Sequence, residues 1–163
     1  MATRMILKNS DPQLRKHCHE VTDFNPRLHM LLDDMRQTLA ESNGVGLAAP
    51  QVGVLRRAVI VLETNVPDDE EEYMIELINP VIVETSGEQT GPEGCLSVPG
   101  KQGNVTRPNE VTVKALDENM KERLITGTEL LARAICHECD HLEGKLYVEL
   151  ADELVDVTDE EAE

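Results

Sequence analysis

Two histidines four residues apart place the tightest demand on what this chain can fold into. They are His137 and His141, in the run His137-Glu138-Cys139-Asp140-His141. A helix puts both imidazoles on one face, one turn apart, where they can reach the same ion. The flanking residues agree with a helix from Thr128 to Leu142. Leu131, Ala134, Ile135 and Cys139 fall on one side, and Thr128 is a possible cap. Glu138 lies beside the first histidine and can face an ion-bound water as general base. A chance helix with surface histidines would read the same, so the case needs a third ligand.

Catalytic metal sites commonly use three protein ligands and keep one position open. The H-x-x-G-x-x-H extension found in one protease class would here read His141, Gly144, Tyr147, which supplies the glycine but no third histidine. Another class takes a downstream Glu. Glu160 and Glu161 are in range, but they lie in an acidic segment with no apolar stripe to hold a helix. Upstream, Cys95 sits in Glu93-Gly94-Cys95-Leu96-Ser97-Val98-Pro99 and as a thiolate would complete a Cys-His-His set.

The rest of the chain reads as one α+β domain of 163 residues. Leu28, Leu31, Leu32, Met35 and Leu39 form one helical stripe, with Asn25 as N-cap, Pro26 at the first helical position and Asn43-Gly44 as the stop. Ala58 to Leu62 reads as a strand rich in β-branched residues. Met74 to Glu84 reads as one or two strands, interrupted at Asn79-Pro80. Gly87 to Gly103 carries many Gly and Pro and is expected to be irregular or only partly extended. Glu110 to Asp117 and Lys121 to Thr126 read as a hairpin.

Charge narrows the function. Fifteen Lys and Arg against 32 Asp and Glu give a net charge of −17, which repels a phosphate backbone, and aromatic residues are only 2% of the chain. Direct nucleic-acid binding is therefore not expected. No apolar run of about 18 residues is present, so no transmembrane helix is expected either. The N-terminal residues have no apolar core of a secretion signal, which points to the cytoplasm. Asp68 to Glu72 and the stretch from Leu150 onward hold 12 of the carboxylates. They read as a solvated loop and a solvated tail, with residues 1–150 as the catalytic domain and 151–163 as an acidic, disordered tail.

Three blocks resemble the peptide deformylases in order and spacing: Gly44-Val45-Gly46-Leu47-Ala48-Ala49-Pro50-Gln51, Glu93-Gly94-Cys95-Leu96-Ser97 and His137-Glu138-Cys139-Asp140-His141. The likeness runs from about Met5 to Leu150. It implies mixed, mostly antiparallel sheets packed around a central metal-bearing helix. It implies Cys95, His137 and His141 as ligands of one divalent ion, natively Fe2+, with Zn2+, Ni2+ or cobalt able to occupy the site. Glu138 would be the acid/base, Gln51 and the Leu96 backbone N–H the oxyanion donors, and Val45 and Gly46 the residues that bind the substrate backbone. The implied reaction removes the N-formyl group from the initiator methionine of new polypeptides, so N-formylmethionyl nascent chains are the implied partners.

Some features depart from that pattern or mimic other sites. The family often has Arg where Gln102 stands, after Lys101, which puts the hold on the distal substrate in question. Some members dock on the ribosome through a basic C-terminal helix, whereas the segment after Glu149 is acidic here. Asp140 is a candidate to orient a ligand histidine. Cys136 and Cys139 form a C-x-x-C deep in a helix, away from the helix N-terminus where such thiols react. His17-Cys18-His19 has no further ligand nearby in sequence. A metal-dependent peptidase and a non-catalytic metal module remain as alternatives.

Overall fold

Ala58–Glu63 (β2) is apolar at successive positions because both of its faces are covered. Val59 and Val61 pack with Leu77 and with Leu131, Ile135 and Cys136 of a helix on one side. Ala58 and Ile60 pack with Leu28, Leu32 and Met35 of a second helix on the other. Alternation with period two thus sorts one strand between two cores.

The computed structural model describes residues 2–157. Within them the order is α1 (Pro26–Ala40), β1 (Gly46–Ala48), β2, β3 (Tyr73–Ser86), β4 (Gln89–Cys95), β5 (Val98–Arg107), β6 (Glu110–Leu116), β7 (Glu122–Thr128), α2 (Leu130–Leu142) and β8 (Leu154–Asp156). The strands form a five-stranded sheet, β1-β2-β3-β6-β7, and a three-stranded sheet, β4-β5-β8. Pairing within both sheets is antiparallel, and one isolated parallel bridge joins His19 to Arg56. α2 packs its apolar stripe on β2, β3 and β6. Its other side carries His137, whose ring stacks on Tyr147, and Tyr147 belongs to a small core with Cys95, Val98 and Val105.

Several expectations hold and several change. The Asn25 side chain accepts from the Leu28 N–H and caps α1 with Pro26 inside the first turn, although the helix ends at Ala40, before Asn43-Gly44. Thr128 is not the cap of α2. Glu129 stands there, with φ 55° and ψ −118° and no side-chain bond to the helix. Asn79-Pro80 does not split β3. A register shift between Ile78 and Val81 absorbs the proline, and the Asn79 amide bonds both the N–H and the carbonyl of Val21. The stretch from Gly87 to Gly103 is not irregular: most of it is the β4–β5 hairpin, turning at Leu96-Ser97. Pro92 is tolerated because β4 is an edge strand, where a missing N–H costs no ladder bond.

The expected tail is also partly ordered. Leu154–Asp156 pairs with Lys101–Gly103, and Lys101 forms an ion pair with Asp156. Glu160 and Glu161 lie outside the described residues. Gly103 is what lets the segment close on β5. A Cβ there would stand 2.6 Å from the Ala151 Cβ and 2.9 Å from the Glu153 carbonyl oxygen. Gly103→Ala is therefore expected to release β8 at a cost of about 1–2 kcal/mol, within the overpacking range. Limited proteolysis should then cut near residue 152 well before the domain unfolds in urea. Unchanged protection there would mean that β8 does not depend on this close approach.

Candidate functional site

The 3.6-residue period of α2 stacks His137 and His141 on one face, with ring centroids 5.0 Å apart and planes at 67°. The β4–β5 hairpin brings Cys95 to the same place, with its Sγ 3.4 Å from His141 Nε2. One donor atom from each of Cys95, His137 and His141 lies within 4.8 Å of the others, and all three residues are buried. No other such cluster of His, Cys, Asp or Glu occurs among the described residues. One soft thiolate and two imidazoles are a donor set suited to a divalent transition metal, and three ligands leave a position open.

Unsatisfied polar atoms mark the same spot. Glu138 Oε1, His141 Nδ1 and the Tyr147 hydroxyl are buried without a hydrogen-bond partner. A buried carboxylate with nothing to hold costs free energy unless it carries a proton or meets a ligand. Burial pushes the Glu138 carboxyl up to about 7, with nearby His137 opposing and Glu93 reinforcing the rise. Burial and the neighbouring His137 hold His141 well below the ordinary imidazole value, so its lone pairs are free to bind an ion. For His137, burial works against the charged ring, but the charges of Glu138 and Cys95 and the bond to Glu93 outweigh it and raise its pKa.

Glu93 is the residue that the sequence did not single out. It lies two positions before Cys95 on β4, and a period of two aims both side chains at α2. Its Oε1 is 2.5 Å from His137 Nδ1, so the ring directs Nε2 to the cluster. The same carboxylate receives Arg107 through two bonds, at 2.6 and 3.1 Å, and Arg133 at 2.7 Å. Burial alone would raise the Glu93 carboxyl, but the bonds from His137 and Arg107 overcome it and hold it at about 2. Asp140 does not orient a ligand histidine; it pairs with Arg107 at 2.6 Å.

Gln51 is 1% exposed, on the short turn Ala49–Val52 that follows β1. Its Oε1 accepts from the Ala48 N–H at 2.9 Å, which turns Nε2 toward Ser97 Oγ at 3.0 Å and Cys95 Sγ at 3.6 Å. Leu96 occupies the hairpin turn next to Cys95 and lines a cavity of about 30 Å³ with Val45, Gly46, Leu130, Arg133 and Glu138. Gly46 opens β1, which is an edge strand. The glycine makes room for the carboxylate itself: a Cβ at 46 would sit 2.5 Å from Glu138 Oε2 and 2.8 Å from its Cγ. All the residues picked from the sequence for this site therefore meet at one place.

The other candidates do not join it. Burial pushes the Cys136 thiol up to about 11 and the Cys139 thiol to about 12, which removes the thiolate that redox exchange needs. Cys18 points into the core, and His17 pairs with Glu143 at 2.8 Å. Lys101 and Gln102 face β8 across the ladder. A much larger cavity, about 920 Å³, lies between the start of α1 and residues 53–56. Its lining has no cysteine, and the Cys-His-His cluster lies beside the smaller space.

Known proteins resemble this chain over its whole length. The family model described as polypeptide deformylase matches residues 3–156. A peptide deformylase of Agathobacter rectalis is 54% identical over 164 residues, spanning 100% of this chain and 99% of that one. That of Thermoanaerobacter pseudethanolicus is 49% identical, spanning 99% and 97%. The crystal structure of a peptide deformylase from Legionella pneumophila superposes with a TM-score of 0.84 at 45% identity, covering 93% of this chain and 87% of that one. The enzyme from Thermotoga maritima gives 0.86 at 30% identity, covering 94% and 100%. Fold, motifs and full-length likeness agree, and the chain belongs to the polypeptide deformylase family.

Proposed function

We propose that this enzyme hydrolyses the N-formyl amide of formylmethionyl nascent chains at a metal centre built by Cys95, His137 and His141, with Glu138 as the proton carrier. The observation that carries the reading is Glu138: a buried carboxylate without a partner, beside three converging ligands. A closed structural metal site has no use for such a group, and membership of a deformylase family weighs against an endopeptidase. The thiolate-imidazole donor set accommodates Fe2+, Zn2+ or Ni2+, and the resemblance to the deformylases is the ground on which we assign Fe2+ natively. Metal analysis after anaerobic purification tests that assignment.

A divalent ion held by Cys95, His137 and His141 would supply Lewis acidity to a water and to the formyl oxygen. Glu138, buried beside the ligand set and without a hydrogen-bond partner on Oε1, takes the proton of the attacking water and returns it to the leaving amine. Gln51 Nε2, aimed by the Ala48 N–H, and the Leu96 N–H donate to the charge developing on the formyl oxygen. Val45 and Gly46 receive the peptide as an added strand on the free edge of β1. The small cavity beside Glu138 receives the side chain of the first residue. No described helix is long and apolar enough to cross a membrane. Between Leu150 and residue 157 the chain forms the short strand β8. We assign the enzyme to the cytoplasm, where it meets nascent chains.

Glu138→Gln should keep its metal and its fold while losing at least 10²-fold in kcat on formyl-Met-Ala-Ser. Retention of more than a tenth of kcat would remove Glu138 from the mechanism. Cys95→Ser should lose or exchange the ion, read by elemental analysis, whereas Cys139→Ser should keep it, because an alcohol is a poor substitute for a thiolate only at a ligand position. Equal loss in both would move the centre toward the C-x-x-C.

Glu93 gives a pH prediction. Its folded-state pKa lies below the ordinary 4.5, so its contribution to stability is complete above about 4.5 and fades as pH falls toward 2. Glu93→Gln should cost about 3–5 kcal/mol at pH 7, because it leaves the buried Arg133 without a counter-charge and Arg107 with Asp140 alone. The variant should also flatten the loss of stability between pH 5 and 3, followed by urea midpoints across about that range. An acid limb as steep as the parent's would assign it to other carboxylates.

A further inference from the structure

The Glu93 carboxylate is held by more than its partner Arg107. Its Oε1 serves His137 at 2.5 Å and Arg107 Nη2 at 2.6 Å. Its Oε2 receives Arg107 Nε at 3.1 Å and Arg133 Nη1 at 2.7 Å. The shorter contact on Oε2 is therefore that of Arg133. Arg107 is shared between two carboxylates, since its Nη1 donates to Asp140 at 2.6 Å. Arg133 is 6% exposed, and its Nη2 donates to the Val105 carbonyl on β5 at 3.1 Å.

Position 133 is four residues before His137, on the same face of α2. One guanidinium thus binds three elements to each other: α2 that carries it, β4 through Glu93 and β5 through Val105. These are the elements that bring His137 and Cys95 together. We propose that Arg133 is a positioning residue of the metal centre, fixing the Glu93 carboxylate so that it in turn holds the His137 ring in its ligating orientation. The proposal rests on the ligand set of the preceding reading. It does not depend on which bond the enzyme hydrolyses.

The experiment binds Co2+ to the metal-free full chain under anaerobic conditions and needs no substrate. Thiolate-to-cobalt and visible absorption report both the affinity and the geometry of the ligand set. Arg133→Met fills the same space without charge or donors. It should weaken Co2+ binding by about 10- to 100-fold, the usual effect of losing a group that orients a ligand, and shift the visible bands. Arg133→Lys keeps a charge that reaches Glu93 but cannot also hold Val105, because an ammonium lacks the planar fork. It should restore affinity to within about threefold of the parent, a partial rescue expected of a compact charge at a bidentate site.

Unchanged affinity and spectrum in Arg133→Met would overturn the proposal. So would equal losses in the Met and Lys variants, which is what a packing role alone produces. If Arg133→Met does not fold, Arg133→Gln takes its place with the same expectations. Loss of formyl-peptide hydrolysis by the unaltered enzyme would sink the deformylase assignment but leave the cobalt result standing, so the two failures are told apart.

Discussion

A carboxylate enclosed by two guanidiniums and an imidazole organises this molecule. Glu93 is 3% exposed, and taking its charge from water is tolerable only because four donor contacts from Arg107, Arg133 and His137 meet it. Remove Glu93 and Arg133 keeps only the Val105 carbonyl, while Arg107 keeps only Asp140. That coupling is why the arrangement is specific: β4, β5 and α2 approach in the one way that completes it. The ligands are a by-product of the same approach, since Cys95 lies two residues from Glu93 and His137 receives its hydrogen bond.

The two histidines were legible in the sequence because their constraint is local. A helix period and five letters suffice, and the stripe of Leu131, Ala134 and Ile135 supplied the burial side. β2 and the β6–β7 hairpin were equally readable, since alternation and a turn at Glu118-Asn119 act over a few residues. The β4–β5 hairpin was not. Its glycines and prolines weaken any propensity signal, and it exists because pairing across a two-residue turn and packing against Tyr147 override that signal. β8 was hidden for a related reason: its three residues are all exposed and pair only because Gly103 leaves them space.

Within the site, the residues proposed to touch an ion or a substrate lie in the three motif blocks, as do Glu93 and Ser97. Arg107, Arg133 and Tyr147 come from three separate places outside those blocks, and no spacing rule links them. Asp140 shows the hazard. As a neighbour of His141 it looked like the group that would orient a histidine, yet the helix turns it toward Arg107 while a residue 44 positions from His137 does that work. Gly46 has a packing role that the sequence did not reveal: its missing side chain leaves room for Glu138.

β1 is three residues long and stands at the edge of the five-stranded sheet, so one side of its backbone has no partner strand although its residues are buried. An edge of this kind recognises N–H and C=O groups, which every polypeptide carries in the same repeat. Beyond the first residue, then, discrimination by side-chain identity has little to act on. On the proposed reading, the enzyme is a generalist: it samples the beginnings of chains whose later sequences differ in every respect, and it needs only that each presents an extended backbone and a free end small enough to enter.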